Sequence, residues 1–483
     1  MSSPQSSRGG RLVSNIAVYA VGTFSSQLVG FLTLPLITQA LTTAEFGIAD
    51  IIVSILALAI PLVSLGISEA VLRFGMEPQH SPARAFRRGT LVAALGFLCS
   101  LTLLPLIMIN PDFGPYAPWL YSLLGVGILR DIAFQLLRSQ NSIRTLMVGG
   151  VLQAALFAAA LVVFVVIRGQ GVAGYLAALL VSSGAAALLY LVQCWIVLRG
   201  TPRTTARDSH LTRQMLSYCL PLMPNGVLWW VVATSSKLVL LGVSSAAAVG
   251  LYAVASRLVS VLAVGTQVIL QGWQISAIQE KDSATRDEFR SEVFAAITAS
   301  LIVGASILVA LVKPITAVLV SAEFYASWQV VPPLLFGLIF LSMATFIGAE
   351  YRVQMATGGA LRSSLWGAAT ALGLSFPGAL FMGPVGAALA ATAGYLALLG
   401  VRLRDFGLPS PTSRYPLVLS SSLLVLLLQS AAQYLGLPPP IAYGAQLVAV
   451  VFLIATNTRF LLRVGSRMWQ SRREARKPLV RPG

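Results

Sequence analysis

Residues 220–273 read LPLMPNGVLWWVVATSSKLVLLGVSSAAAVGLYAVASRLVSVLAVGTQVILQGW, and this almost wholly apolar run decides the fold. A break at Gly242–Val249 divides it into two segments, each long enough to cross a bilayer as a helix. Yet the run carries two cations, Lys237 and Arg257. Arg257 lies about 11 residues into the second helix, or about 16 Å, close to the middle of a ~30 Å hydrocarbon layer. A cation at that depth costs at least about 2.5–3.5 kcal/mol, so we expect it to face a partner or a water-filled cavity instead of lipid.

The composition of the whole chain agrees with this reading. Of its 483 residues, 57% are hydrophobic and 10% are charged, whereas soluble proteins average about 25% charged residues. The net charge of +17 needs no nucleic-acid partner, because basic connectors orient membrane proteins. Two histidines and three cysteines without a C-x-x-C spacing predict no metal site, no disulfide and no cofactor.

Apolar segments predict about fourteen transmembrane helices and an all-α, polytopic membrane protein. The segments are 12–40, 46–72, 88–110, 117–138, 145–167, 171–198, 214–242, 246–274, 291–312, 328–349, 362–382, 384–401, 415–436 and 440–462.

Positive charge alternates between successive connectors of the predicted helices. The two tails and every second connector hold 28 of the 33 Lys and Arg residues, which predicts cytoplasmic termini. The opposite connectors hold only Arg168 and Lys313. Three cations remain inside predicted helices, namely Arg130, Lys237 and Arg257.

The chain also repeats weakly. Ala44-Glu-Phe-Gly47 opens the second helix and Ala247-Ala-Val-Gly250 opens the eighth, while Gly171-Val-Ala-Gly174 is echoed by Gly383-Pro-Val-Gly386. The matched helices run in the same direction, which predicts two six-helix lobes in a parallel pseudo-repeat plus two extra C-terminal helices. The predicted parts are a cytoplasmic N-terminal tail (1–11), the N-lobe (12–198), a cytoplasmic linker (199–213), the C-lobe (214–401), a cytoplasmic connector (402–414), two helices (415–462) and a basic cytoplasmic tail (463–483).

The order and spacing of four motifs, more than any one of them, carry a family resemblance. They are Gly22-Thr-Phe-Ser-Ser-Gln-Leu-Val-Gly30, Leu41-Thr-Thr-Ala-Glu-Phe-Gly47, Leu65-Gly-Ile-Ser-Glu-Ala-Val-Leu-Arg73 and Pro384-Val-Gly-Ala-Ala-Leu-Ala-Ala391. Together they resemble the MOP exporter superfamily, with the oligosaccharide-lipid flippases of the Wzx type nearest and the MurJ and MATE proteins as relatives.

The resemblance implies a function. It implies two lobes that rock around a central cavity lined by helices 1, 2, 7 and 8. The cavity would accept an undecaprenyl-pyrophosphate-linked oligosaccharide at the cytoplasmic side of the bacterial inner membrane and release it outside. This serves O-antigen, capsule or exopolysaccharide assembly, with assembly proteins as partners beside membrane lipids. MurJ-like proteins carry several arginines in helix 1, whereas this chain has no charge between Arg11 and Glu45, which argues against lipid II as the substrate.

The embedded charged residues are the first candidates for the substrate site. Arg257 is expected to bind a phosphate through its guanidinium, with Lys237 and Arg130 as further cations. The alternatives are a structural pair with a buried acid for Arg257 and snorkelling to the outer interface for Lys237. Asp50 is expected to neutralise Lys237 or Arg257 or to take up a proton, or else is a simple interfacial acid. Asp131 follows Arg130 directly and points about 100° away from it.

Aromatic and gate candidates complete the set. Trp230 and Tyr252 are candidates for stacking on sugar rings, or else packing aromatics. Glu69 and Arg73 have the spacing of an i,i+4 ion pair, which is either an interfacial anchor or a cytoplasmic gate.

Other function classes fit the sequence less well. No G-x-x-x-x-G-K-[ST] motif and no cluster of catalytic type is present, so neither ATP hydrolysis nor another enzyme activity is expected. A MATE-like exporter of organic cations, a MurJ-like lipid II flippase and a non-transporting scaffold stay open as alternatives. A coupling ion, H⁺ or Na⁺, is possible but unidentified.

Overall fold

A computed structural model describes residues 30–77, 79–109, 111, 113–199, 210–279, 286–354 and 356–474. Within these ranges only the backbone is described at 268–269, 271–279, 286, 352–353, 357 and 461–474. Every regular element in this part of the chain is a helix, which confirms the predicted all-α class. The predicted N-terminal tail, the start of the first helix, most of the linker at 199–213 and the end of the basic tail lie outside the described residues.

Twelve of the described helices are long and apolar enough to cross a membrane. The helices in chain order are α1 (Gly30–Ala40), α2 (Thr43–Val63), α3 (Ile67–Met76), α4 (Pro82–Met108), α5 (Gly114–Ser139), α6 (Ile143–Ile167), α7 (Gly171–Arg199), α8 (Leu211–Val243), α9 (Ala246–Gln279), α10 (Arg286–Leu319), α11 (Ala322–Tyr351), α12 (Thr357–Phe406), α13 (Tyr415–Ala432) and α14 (Pro439–Glu474). All except α1 and α3 are candidate spans.

The twelve spans become thirteen when α12 is divided in two, and the partly described first helix is the fourteenth predicted segment. Gly383 has a φ of 55° and a ψ of −133°, which is not helical, so α12 contains both predicted helices on either side of it. A Cβ on Gly386 would lie 1.9 Å from the carbonyl oxygen of Gly378, so the chain doubles back tightly here. The first predicted helix, 12–40, is described only from Gly30 onward, as α1.

Two compact units can be distinguished by their internal contacts. The first holds the described residues up to Val261 together with Leu319–Phe324 and Ser375–Ala387, and the second holds the remainder. The lobes predicted at 12–198 and 214–401, and their parallel repeat, stay a prediction.

In the first unit, α2 begins at a capping box that its sequence specifies. The Thr42 backbone N–H donates to Glu45 Oε2 at 2.9 Å, and the Glu45 N–H donates back to Thr42 Oγ1 at 3.2 Å. This reciprocal pair satisfies two backbone donors that would otherwise be unpaired at the helix start. The position at which α2 begins is therefore fixed locally.

The two repeated motifs meet at this end of the molecule. A Cβ on Gly47 would lie 1.9 Å from the Ala246 carbonyl oxygen, and one on Gly250 would lie 2.0 Å from the Thr43 carbonyl oxygen. Only glycine allows two helix backbones to approach so closely, as at small-residue crossings in other membrane proteins. We call this end of the first unit the Gly47 face, and the opposite end, which carries Arg73, the basic face.

The start of α11 reinforces the Gly47 face. Glu323 accepts hydrogen bonds from the Thr43 backbone N–H at 2.8 Å and from its hydroxyl at 2.6 Å. Phe46 packs edge-on against Tyr175 and Phe324, with ring centroids 6.1 and 6.2 Å apart. These contacts fix the ends of α2 and α7 from which the candidate site is built.

In the second unit, amide side chains tie α10 to α13 and α14. Ser306 Oγ donates to Gln429 Oε1 at 2.8 Å, and Gln429 Nε2 donates back to the Ser306 carbonyl at 3.0 Å. Gln446 Nε2 donates to the Gln429 carbonyl at 3.1 Å, and Lys313 Nζ donates to the Gln433 carbonyl at 2.8 Å. We call Ser306, Gln429, Gln433 and Gln446 the amide cluster. Such polar contacts hold helices together in lipid, where apolar side chains give little specificity.

Arg402 corrects one detail of the charge count. The alternation of basic residues assigns it to a connector, but it lies in the last turns of α12 and only 4% of it is exposed. Its guanidinium donates to the Ala344 carbonyl at 2.6 Å and to Ser363 Oγ at 3.2 Å. One arginine of the count is thus a buried structural residue.

Candidate functional site

An embedded ion pair joins α2 to α8 in the first unit. Lys237 Nζ lies 2.8 Å from Asp50 Oδ2, and the side chains are only 15% and 12% exposed. The Lys237 ammonium also lies 5.7 Å from the centre of the Tyr252 ring on α9. A lysine in an apolar helix is costly without a partner, and Asp50 with Tyr252 supplies one.

Arg257 on α9 has a different environment. Its Nη2 donates to the Tyr175 hydroxyl at 3.3 Å, and this neutral group on α7 is its polar partner in the described part of the chain. A Cβ on Gly30 would lie 2.8 Å from Nη1, so the glycine of α1 leaves room for the guanidinium. A guanidinium has five N–H donors, and among the described residues one of them is used by Tyr175.

Tyr175 links the two halves of this arrangement. It is 1% exposed, bonds to Arg257 and has Asp50 as a charged neighbour. We call Asp50, Tyr175, Lys237, Tyr252 and Arg257 the charged cluster. Its two cations exceed its one carboxylate, so the cluster favours an anion.

Trp230 lies at a cavity between α8 and the pair α2 and α3. Its Nε1 donates to the Ser54 carbonyl at 2.8 Å, which ties α8 to α2. The cavity has a volume of about 200 Å³, and Pro61, Glu69 and Gly226 line it together with Trp230. Stacking of a sugar on Trp230 or Tyr252 stays a prediction.

The structure places Arg130 and Asp131 against two different neighbours within the first unit. Arg130 Nη1 donates to Gln153 Oε1 on α6 at 3.2 Å, whereas Asp131 lies next to Ser68 on α3. Their divergence follows from the 100° rotation between adjacent helical residues. A direct role of either residue in substrate binding stays a prediction.

The gate candidates do not pair with each other as the spacing suggests. Arg73 Nε forms its ion pair with Glu77 at 3.4 Å, and its guanidinium lies 4.6 Å from the Tyr218 ring at the start of α8. Glu69 instead accepts a hydrogen bond from Gln135 Nε2 at 3.4 Å. The predicted pair of Arg73 with Glu69 is thus replaced by a pair of Arg73 with Glu77, four residues further along the chain. Arg73 turns this way because Tyr218 and Glu77 both lie towards the end of α3.

Sequence reasoning missed Tyr175 and the hydrogen bond between Ser236 and Ser375, whose hydroxyls are 2.8 Å apart. Tyr175 directly follows Gly171-Val-Ala-Gly174, which drew attention only as a repeat. A tyrosine in an apolar helix usually needs a partner for its hydroxyl, and this could have pointed to it. The serine pair leaves no signal in the sequence, because the two residues are 139 positions apart.

The arrangement suits anion binding more than catalysis. An arginine and a lysine in one cluster can hold phosphate oxygens, with the guanidinium binding two oxygens at once. The carboxylate beside them provides an internal counter-ion. The cluster therefore has the chemistry of a binding site for a phosphorylated ligand.

Known structures share this fold at low sequence identity. The lipid II flippase MurJ in an inward closed conformation aligns with a TM-score of 0.67 and 13% identity over 92% of this chain and 99% of that one. A MATE protein in the straight conformation aligns with a TM-score of 0.57 and 15% identity, over 85% and 96% of the two chains. For the Vibrio cholerae MATE transporter VcmN the TM-score is 0.52 and the identity 16%, over 84% and 99%. A search of curated protein sequences found no match.

One family model matches the chain, described as polysaccharide biosynthesis protein and covering residues 12–274. The matched region contains α2 to α8, most of α9 and every residue of the charged cluster. Together with twelve candidate membrane spans, it identifies a multi-pass membrane protein. Because the match covers more than half of the 483 residues, the chain belongs to the polysaccharide biosynthesis protein family.

Proposed function

We propose that the protein is a flippase that moves an undecaprenyl-pyrophosphate-linked oligosaccharide from the inner to the outer leaflet of a bacterial inner membrane. The oligosaccharide would then enter a surface polysaccharide, handed on by assembly proteins outside. One observation carries the proposal: the charged cluster places Arg257, bonded to a neutral tyrosine, among apolar helices of a polysaccharide-family chain. A diphosphate is the part of such a substrate that needs cations inside a membrane.

The distribution of charge supports this direction of transport. With the basic face in the cytoplasm, both termini are cytoplasmic and the Gly47 face is external. An inside-negative potential then favours outward movement of an anion by about 2.3 kcal/mol per charge per 100 mV. Two phosphate charges would gain roughly 4–5 kcal/mol, without ATP hydrolysis.

Contacts in the first unit support alternating access. At the Gly47 face, α2 and α9 touch through their backbones at Gly47 and Gly250. Towards the basic face, α2 and α3 leave the 200 Å³ cavity beside α8. Access from the cytoplasmic side, with the external side closed, is the state in which a flippase accepts substrate.

Export of organic cations fits the cluster less well. Such a transporter needs an acid available for the cation, and Asp50 is paired with Lys237 at 2.8 Å. The two cations beside it would repel a cationic drug. The sign of the cluster therefore favours the flippase.

The test is complementation of polysaccharide export in a strain that lacks this protein. Arg257→Ala should abolish export at normal membrane abundance, and Arg257→Lys should restore it only in part, because lysine lacks the planar fork. Arg362→Ala is the matched control, since Arg362 is 58% exposed and bonds to Asp405 in the second unit. Normal export by Arg257→Ala at normal abundance would contradict the proposal.

A further inference from the structure

We propose that Asp50 is a resident anion that occupies Lys237 in the substrate-free protein and that the diphosphate of the substrate displaces. The inference rests on the proposed function and deepens it, because it names what sets the selectivity of the same site. The carboxylate would act as a competitor for the substrate, and its removal should strengthen binding.

In this structure Asp50 and Lys237 form an ion pair between two helices. Lys237 belongs to α8 and Asp50 to α2, and both side chains are mostly buried. Separating a buried pair leaves an uncompensated charge on each side, which is strongly unfavourable. Whatever releases Asp50 from Lys237 must therefore supply another anion to the lysine.

The charges of the cluster match those of a diphosphate once Asp50 is removed from the count. Lys237 and Arg257 together carry two positive charges, and Asp50 cancels one of them. A diphosphate diester carries two negative charges and so matches the two cations once Asp50 withdraws. A monophosphate diester carries one, which is no more than Asp50 already supplies. The resident carboxylate therefore disfavours ligands with a single phosphate, a form of selectivity by competition.

Tyr175 can receive the Asp50 carboxylate after the substrate displaces it from Lys237. Asp50 is a charged neighbour of Tyr175, whose hydroxyl is bonded to Arg257 in this state. The Tyr175 hydroxyl accepts from Arg257 and keeps its own proton, so it can donate that proton to the Asp50 carboxylate once Asp50 leaves Lys237.

The experiment measures binding of farnesyl pyrophosphate and farnesyl monophosphate, each esterified to one sugar so that they are diesters with two charges and one charge, to the purified full-length protein by calorimetry. Asp50→Asn should tighten farnesyl pyrophosphate binding by about tenfold, which is the loss of one modest competing interaction. It should tighten monophosphate binding more than that, so that the preference for the diphosphate shrinks. Asp405→Asn, which removes the carboxylate paired with Arg362 in the second unit, is the matched control and should change neither affinity.

The outcomes separate this inference from the proposed function. If the wild type binds farnesyl pyrophosphate, Arg257→Ala loses it and folded Asp50→Asn binds equally or more weakly, the resident-anion inference is overturned while the flippase proposal stands. If the wild type binds neither ligand, the proposed diphosphate site fails and the inference fails with it. Should Asp50→Asn not fold, Asp50→Ser together with the swapped pair Asp50→Lys and Lys237→Asp replaces it. The swapped pair keeps a carboxylate in the cluster and should show no gain in affinity, whereas a gain there would overturn the inference.

Discussion

The charged cluster of the first unit and the amide cluster of the second unit place polar groups in apolar helices in opposite ways. In the charged cluster, full charges lie close together, and Arg257 bonds only to a neutral hydroxyl among the described residues. In the amide cluster, neutral side chains are buried and their donors bond to carbonyl or amide oxygens of neighbouring helices. The amide cluster thus joins helices through neutral groups whose donors are bonded, whereas the charged cluster, which is our proposed substrate site, keeps full charges.

The two lysines make the contrast specific. Lys237 pairs with the Asp50 carboxylate, which we propose the substrate diphosphate displaces. Lys313 donates to the Gln433 carbonyl at 2.8 Å and lies 4.4 Å from the Trp328 ring centre, both of them neutral partners. A backbone carbonyl cannot leave, so Lys313 fixes the end of α10 against α13 and offers nothing to exchange.

The largest expected effect separates these lysines. Lys237→Met leaves Asp50 buried without a cation and should destabilise the protein by about 3–5 kcal/mol. Lys313→Met loses one charge-assisted hydrogen bond and should cost about 1.5–3 kcal/mol. Thermal unfolding of the purified proteins measures the difference.

Export then shows which lysine acts on the substrate. Lys237→Met with Asp50→Asn should recover membrane abundance because no charge is left unpaired, yet export per molecule should stay low. Lys313→Met should export normally per molecule. Equal losses of export for the two lysines would remove the distinction between the clusters.

The close crossing of α2 and α9 gives the next effect, because it holds the frame around the charged cluster. Gly250→Ala puts a methyl group where a backbone atom already lies 2.0 Å away, so it should destabilise by about 1–3 kcal/mol or force the helices apart. Gly265→Ala on the same helix has nothing within 4 Å and should be neutral or slightly stabilising. Equal unfolding temperatures for the two variants would mean that the crossing is not tight.

The amide cluster should respond in stability alone. Gln429→Leu removes both bonds to Ser306 and should cost about 1–3 kcal/mol. Export per molecule should be unchanged, because the proposed substrate site does not include this cluster. Ser421→Ala on the exposed side of α13 serves as the control. A loss of export from Gln429→Leu at normal abundance would assign the amide cluster a role in transport.

The smallest effect belongs to Arg73 at the basic face. Its ion pair with Glu77 is exposed, with 53% and 35% of the two side chains accessible. Exposed pairs of this kind contribute little. Arg73→Ala should therefore leave the unfolding temperature and export nearly unchanged, and a strong loss of export would support the gate that its position first suggested.

Much of the fold could be predicted from the sequence because it rests on local signals. The lengths of the apolar segments located the helices, and the break at Gly242–Val249 separates α8 from α9 as expected. The chain can turn at Gly383 because glycine tolerates a φ of 55°. Gly47 and Gly250 were recognised as equivalent, although their contact with each other was not foreseen.

The candidate site was only partly predictable, because it depends on which helix faces meet. The embedded residues Arg257, Lys237 and Asp50 stood out by their cost in an apolar run, and pairing of Asp50 with one of the cations was among the alternatives. Which cation it pairs with, and that Tyr175 bonds to the other, depends on the packing of α2, α7, α8 and α9. The amide cluster did leave a signal, since Gln429 and Gln433 are four residues apart on an apolar helix.

The central claim is that Arg257 binds the diphosphate during transport. The most direct measurement is flipping of a fluorescent undecaprenyl-pyrophosphate-linked oligosaccharide in proteoliposomes that contain equal amounts of wild type, Arg257→Lys or Arg257→Ala. The account predicts flipping by the wild type, a rate reduced by about tenfold or more for the lysine variant, and protein-free background for the alanine variant. Flipping by Arg257→Ala at the wild-type rate would contradict it.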